Sequence, residues 1–149
     1  MAQNKFITNL LTGTNTNLLS ISILLLRITL GVILFIVGAG KVMGWFGGHG
    51  METTIFFLVT KQGFSVPLAY MSAYTEFIGG FLLIIGLFTR PVAFAIMINM
   101  IVAGIVSLPR GFITGAAYPF SLMISALIIL LTGPMKFSLD SLIFHDKLK

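Results

Sequence analysis

The chain has 149 residues, of which 57% are hydrophobic and only 9% are charged, and its formal net charge is +5. Such a composition excludes an ordinary soluble domain and predicts a single domain, residues 1–149, with the lipid bilayer as its solvent. Because the chain contains no cysteine, it cannot carry thiolate metal ligands, cysteine-bound iron–sulfur clusters or a disulfide-exchange centre of its own.

Four long apolar runs follow one another along the chain and predict four membrane-spanning helices. The predicted spans are residues 18–40, 67–88, 91–108 and 115–133. The first is longer than the apolar core of a signal peptide. At the start of the second span, Ser65 is a candidate N-cap and Pro67 lies in the first turn. A tight turn at residues 89–91 leads to the third span. A fourth helix starting at Pro119 would cover only ~21 Å of a ~30 Å hydrocarbon core, so either it begins earlier, near Gly115, or the bilayer is thinner there.

Two shorter segments have the pattern of helices that lie on the membrane surface. In the long loop after the first span, Met51, Ile55 and Leu58 recur at helical spacing and Gly63 is a stop signal, which predicts a helix over residues 51–62. Residues 138–144 predict a second short helix near the other membrane face. The expected fold is therefore an all-α integral membrane four-helix bundle with short interfacial helices.

The distribution of basic residues predicts how the bundle is oriented. One face would carry Lys5, Arg90, Lys136, Lys147 and Lys149, and the other Lys41, Lys61 and Arg110. This bias favours both termini in the cytoplasm, because cytoplasmic loops are enriched in Lys and Arg. Trp45, Tyr70 and Tyr118 would form an aromatic belt at the opposite face. The basic residues thus indicate membrane boundaries and contact with membrane lipid, and not nucleic-acid binding.

Three polar residues within the predicted spans are candidates for an intramembrane polar core. Counted at ~1.5 Å per residue from the span ends, Arg27 and Glu76 fall at nearly the same depth, with Asn99 close to them. Opposite charges in hydrocarbon are expected to pair, so the sequence predicts an ion pair between Arg27 and Glu76 that Asn99 joins. Two roles stay open for this pair, because an intramembrane ion pair can fix helix packing or take part in function.

Each predicted span also has a face of small or polar residues that would turn toward the interior of the bundle. On the second span this face comprises Ala69, Ser72, Ala73, Glu76, Gly79, Gly80 and Leu83. On the first it comprises Arg27, Gly31, Leu34, Gly38 and Lys41. On the third it comprises Ala95, Asn99, Ala103 and Val106, and on the fourth Ser121, Ser125 and Thr132. Glycine on such faces permits either a close approach of two helices or a cavity.

A group of cationic and aromatic residues is predicted at the membrane boundary nearest the long loop. Its members are Lys41, Trp45, Tyr70, Arg110 and Tyr118. This mixture suits the head group of a quinone or of an anionic lipid, so we expect these residues to form the mouth of a ligand pocket that reaches Glu76.

Three segments of the sequence resemble the DoxX family of small four-helix membrane proteins. They are LLLRITLGVILFIVGAGKVMGWFGG (residues 24–48), EFIGGFLLIIGLFTRP (residues 76–91) and LPRGFITGAAYP (residues 108–119). The resemblance extends over residues 24–142 and implies a multi-pass protein of the bacterial inner membrane. It also implies a relation to oxidoreductases, with a similarity to the DoxD-type subunit of thiosulfate:quinone oxidoreductase, which makes a quinone a candidate ligand. It implies no established set of catalytic residues.

Other kinds of site are disfavoured by the sequence. His49 and His145 are predicted on opposite membrane faces, so they are poorly placed to hold a haem together, and no metal site is predicted. The glycines around His49 lack the strand–turn–helix setting of a nucleotide-binding loop. No arrangement of serine and histidine indicates nucleophilic catalysis, so the chain is at most one subunit of an oxidoreductase.

Three hypotheses about function remain. In the first, the chain is the membrane subunit of a redox assembly that binds a quinone-like or lipidic ligand or docks an oxidoreductase partner. In the second, it is a small transporter or lipid-binding protein that uses the same cavity without redox chemistry. In the third, it is a structural assembly partner, and its polar core only specifies how the helices pack.

Overall fold

Six α-helices make up most of the part of the chain that a computed structural model describes, residues 16–144. They are α1 (Thr16–Met43), α2 (Gly50–Gln62), α3 (Val66–Ile85), α4 (Thr89–Ser107), α5 (Ala117–Thr132) and α6 (Leu139–Phe144). A 3₁₀ turn at Leu108–Arg110 and a π-helical turn at Phe112–Ala116 join α4 to α5. Within the described residues, the segments long and apolar enough to cross a membrane are Thr16–Met43, Val66–Ile85, Thr89–Arg110 and Phe112–Thr132. The predicted all-α membrane fold is therefore confirmed.

The turn between α3 and α4 lies earlier in the chain than predicted. α3 ends at Ile85, because Gly86 adopts a left-handed conformation with φ of 71° that few other residues accept. α4 then begins at Thr89, inside the predicted turn, and the Asp140 carboxylate accepts the backbone N–H groups of Phe88 and Thr89 at 2.8 and 2.7 Å. A carboxylate at this position satisfies unpaired donors of the first helical turn and complements the helix dipole. The start of α4 thus depends on a contact from the far end of the chain.

The four long helices form two antiparallel pairs, α1 with α3 and α4 with α5. The first pair is very close: a Cβ atom on Gly38 would lie 2.3 Å from the Phe77 backbone nitrogen, and one on Gly80 would lie 2.4 Å from that of Phe35. Every residue of the face predicted for the second span is buried. Between the two pairs lies an apolar core that includes Leu30, Leu34, Leu83, Ile96, Met100 and Ile129.

The polar face predicted for the fourth span is wrong. The hydroxyl groups of Ser121, Ser125 and Thr132 donate to backbone carbonyls one turn earlier in α5, and none of these residues is buried. A hydroxyl that bonds to its own helix needs no partner inside the bundle, so it can face outward. The buried face of α5 instead comprises Pro119, Leu122, Ala126 and Ile129. On α4 the inward face is likewise rotated from the prediction, since Ala95 is exposed and Asn99 is half-buried.

The two ends of the bundle differ in construction. The loop end carries residues 41–66, including the 3₁₀ turn Trp45–Gly47 and α2, and the terminal end carries residues 86–88 and 133–144. The short helices predicted over 51–62 and 138–144 are both present, and Gly63 ends α2 with φ of 71°. Leu58 packs against Phe64 and Ala69, which holds α2 on the bundle. The predicted placements of Lys5, His145, Lys147 and Lys149 lie outside the described residues.

Candidate functional site

A buried ion pair joins α1 to α3 near the loop end. The Lys41 ammonium nitrogen lies 2.7 Å from Oε1 and 2.6 Å from Oε2 of Glu76. The Glu76 side chain is 4% exposed and that of Lys41 is 27% exposed, so the ammonium is the accessible member of the pair. From α4, the Asn99 amide nitrogen approaches Oε1 of Glu76 at 3.5 Å, the outer limit of a hydrogen bond. Glu76 and Asn99 therefore meet as predicted, but the cation between the helices is Lys41.

The close packing of α1 on α3 positions this pair. A Cβ atom on Gly38 would lie 2.8 Å from the Glu76 carbonyl carbon, which puts the two residues at the same level of the bundle. Lys41 follows Gly38 by about one turn on the same helical face. Because helical side chains lean toward the N-terminus of their helix, the Lys41 stem reaches back to the level of Glu76.

The predicted ion pair between Arg27 and Glu76 is wrong. Arg27 lies at the terminal end, where its Nη1 donates to the Pro134 carbonyl at 3.0 Å and its Nη2 donates to the Phe137 carbonyl. The depth count assumed that the two antiparallel spans begin level with opposite membrane surfaces, but α1 has 28 residues and α3 has 20. α1 is therefore longer by about 12 Å. This offset places Arg27 beside the turn after α3, where a Cβ atom on Gly86 would lie 2.8 Å from its guanidinium carbon.

A cavity of about 820 Å³ lies beside the ion pair at the loop end. Both Lys41 and Glu76 form part of its wall. Of the other predicted mouth residues, the cavity is lined by Trp45 and Tyr118. Tyr70 and Arg110 do not line it. Arg110 instead donates to the Ser107 hydroxyl at 2.6 Å, and Ser107 is itself a wall residue.

The rest of the wall is mostly apolar. Side chains that contribute to it include Leu34, Leu58, Phe64, Met100 and Leu122. The exposed residues of the wall include Ile36 of α1, Tyr118 of α5 and, at the loop end, Trp45, Phe46 and Phe57, so the cavity is open to the surface of the bundle. Apolar walls with a few converging polar groups are typical of sites for small lipophilic molecules, and the volume lies in the usual range for such sites. Besides the ion pair, the polar residues of the wall are Ser72, Ser107 and Tyr118 of the bundle and His49, Thr53, Thr54 and Gln62 of the loop end.

Two features of this site were missed by reasoning from the sequence. Lys41 was placed on the inward face of the first span and at the pocket mouth, but its ion pair with Glu76 was missed because Arg27 was assigned to that carboxylate. The position of Ser107 in the cavity wall could not be predicted from its spacing, because it depends on the turns that join α4 to α5. Within residues 16–144, no group of three or more His, Asp or Glu side chains is arranged to hold a metal ion.

The fold and the site together define a small multi-pass membrane protein with an ion pair inside its helical bundle and a largely apolar cavity beside that pair. The chain belongs to the DoxX family, whose family model matches residues 22–109, a range that includes Lys41, Glu76 and Asn99. It is similar to the Bacillus subtilis (strain 168) protein named "Putative oxidoreductase CatD", with 35% identity over 128 residues that cover 85% of this chain and 90% of the relative. No solved structure matches the chain.

Proposed function

We propose that the chain is the membrane subunit of a redox assembly and that its cavity binds a quinone-like lipophilic carrier. The observation that carries this proposal is the position of the Lys41–Glu76 pair in the wall of an otherwise largely apolar cavity. A quinone ring needs apolar walls and at least one hydrogen-bond donor for a carbonyl oxygen. The Lys41 ammonium and the Tyr118 hydroxyl are donors of this kind, and both belong to residues of the wall.

The route from the cavity to the bilayer supports a ligand with a long apolar tail. Ile36 and Val37 of α1 line the cavity on one side, and Tyr118 and Leu122 of α5 line it on another. Ile36 and Tyr118 are also exposed on the surface of the bundle. The tail of a ligand whose head group lies beside Lys41 would reach the surface of the bundle past these exposed residues.

The redox part of the proposal draws on the relative whose name describes it as an oxidoreductase. This chain has no cysteine, so the proposal assigns electron delivery to a partner subunit or to a diffusible reductant. We also propose that the protein sits in the bacterial inner membrane with its terminal end toward the cytoplasm. The support for this orientation is the sequence count of boundary residues, in which Lys5, Arg90, Lys136, Lys147 and Lys149 are predicted on the cytoplasmic side and Lys41, Lys61 and Arg110 on the other.

Fluorescence of the single tryptophan offers a direct test, because Trp45 lines the cavity. The purified protein would be placed in lipid nanodiscs and titrated with a short-chain benzoquinone, which quenches tryptophan on close approach. Ala103→Phe fills the cavity, since Ala103 lines it, whereas Ala95→Phe adds the same ring on the exposed side of the same helix. We expect saturable quenching in the wild type and in Ala95→Phe, and only weak, non-saturable quenching in Ala103→Phe.

Mass spectrometry of molecules that co-purify with the protein separates the alternatives. Co-purification of a quinone with the wild type and its loss in Ala103→Phe would support the proposal. Phospholipid in the cavity, with no saturable quinone binding, would favour a lipid-binding protein or transporter. Identical results for the wild type and Ala103→Phe in both measurements would refute a ligand site and favour the role of an assembly partner.

A further inference from the structure

We infer that the cavity selects a neutral carbonyl oxygen over an anionic head group, because Glu76 neutralises the ammonium that would hold the ligand. Glu76 is thereby a specificity-determining residue. This inference rests on the proposed function and narrows its ligand to one chemical class, a lipophilic molecule with an uncharged carbonyl acceptor. Lipids with a phosphate head group belong to the excluded class.

The ion pair leaves a donor of the Lys41 ammonium available to a ligand. An ammonium group has three N–H donors. The two carboxylate oxygens of Glu76 lie at 2.7 and 2.6 Å from the Lys41 nitrogen, so they occupy the side of the ammonium that faces α3. Lys41 is 27% exposed and lines the cavity, whereas the Glu76 side chain is 4% exposed. The pair therefore offers a ligand an N–H donor, and it offers almost no free carboxylate surface.

The Lys41–Glu76 pair carries no net charge. Among the described residues that line the cavity, Lys41 is the one Lys or Arg and Glu76 the one Asp or Glu, and His49 lines it as well. An anion hydrogen-bonded to the ammonium would lie only about 1.5 times as far from the Glu76 oxygens as from the Lys41 nitrogen, so repulsion would offset more than half of the attraction. It would also lose its hydration on entering an apolar cavity without gaining a net opposite charge. A carbonyl oxygen gains a charge-assisted hydrogen bond from the same ammonium and loses far less hydration.

The nearby cation at the loop end does not alter this balance. Arg110 does not line the cavity, and its guanidinium donates to the Ser107 hydroxyl, which forms the wall at that point. A phosphate inside the cavity would meet the Ser107 hydroxyl there and not the guanidinium. The Lys41–Glu76 pair thus dominates the electrostatics of the wall.

The experiment compares two probes in nanodiscs, a short-chain benzoquinone and a short-chain phosphatidylglycerol, on the wild type and on Glu76→Gln. Glutamine keeps the shape of the side chain but removes the negative charge, which leaves a net positive ammonium in the wall. Quinone binding is measured by quenching of Trp45, and phosphatidylglycerol binding by its competition with the quinone. We expect the ratio of phosphatidylglycerol affinity to quinone affinity to rise by about tenfold or more in Glu76→Gln.

An unchanged ratio in a folded Glu76→Gln protein that still binds quinone would overturn the inference and leave the proposed function intact. A wild type that binds neither probe would refute the proposed function, and the inference with it. If Glu76→Gln does not fold, the double variant Lys41→Met with Glu76→Gln replaces it, since removal of both charges is tolerated better than removal of one. That variant should lose quinone affinity without gaining phosphatidylglycerol affinity, and undiminished quinone affinity would overturn the inference.

Discussion

Replacement of Gly80 by alanine tests the close contact between α1 and α3. In a helix interior, alanine is more favourable than glycine by about 0.5–1 kcal/mol, so the change would stabilise an isolated helix. In the bundle, the new Cβ would lie 2.4 Å from the Phe35 backbone nitrogen. This separation is shorter than a normal van der Waals contact by at least about 1 Å. A backbone atom cannot rotate away, so α1 and α3 would have to separate, and such overpacking costs about 1–3 kcal/mol. We expect Gly80→Ala to lower the free energy of unfolding by about 1–2 kcal/mol.

The adjacent glycine provides the matched control. A Cβ atom on Gly79 would meet the Cδ1 atom of Ile96 at 3.3 Å, and this side-chain end can shift by a few tenths of an ångström. Gly79→Ala should therefore be neutral or stabilising by up to about 1 kcal/mol. Unfolding of both variants by titration with a denaturing detergent in mixed micelles, followed by circular dichroism, measures the difference. Equal stabilities for Gly80→Ala and Gly79→Ala would refute the argument from close packing.

Three further predictions concern the charged groups. Lys41→Met should destabilise the protein by about 3–5 kcal/mol, and Glu76→Gln by less because the ammonium can still reach water. The stability of the double variant should be close to that of the wild type, and a double variant no more stable than Lys41→Met alone would contradict the pairing. Asp140→Ala should cost about 1–2 kcal/mol and increase hydrogen exchange in the first turn of α4, because two backbone N–H groups lose their acceptor. In spheroplasts, cysteine at exposed Lys61 should react with an impermeant maleimide and cysteine at exposed Lys136 should not, and the reverse pattern would invert the proposed orientation.

The long helices and several of their buried faces could be predicted from the residue pattern. In lipid, the backbone N–H and C=O groups of a span must form hydrogen bonds within that span, so a sufficiently long apolar run predicts a helix. The stripe of small residues from Ala69 to Leu83 indicated which side of α3 turns inward, because small side chains allow helices to approach closely in a membrane. Glycine at position 63 correctly indicated the end of α2.

The partners of the charged residues could not be predicted in the same way. Counting depth along a span requires that the span begins at the membrane surface. Because α1 is longer than α3, this condition failed, and Arg27 was assigned to Glu76 in place of Lys41. The start of α4 depends on Asp140, whose position follows from the route of residues 133–139 and not from any periodic pattern. The hydroxyls of α5 were misplaced because a serine that bonds to its own helix has the same spacing as one that faces a neighbour.

The contacts of Arg27 have a consequence for the order of events during biosynthesis. Its two carbonyl acceptors follow it in the chain by 107 and 110 positions, so the ribosome makes them long after Arg27 has entered the membrane. Until they arrive, the guanidinium is an intramembrane charge without those partners, which is an unfavourable state. Closure of the terminal end around Arg27 therefore waits for the synthesis of residue 137. A chain that stops before residue 134 lacks both acceptors, and its Arg27 guanidinium stays in that unfavourable state.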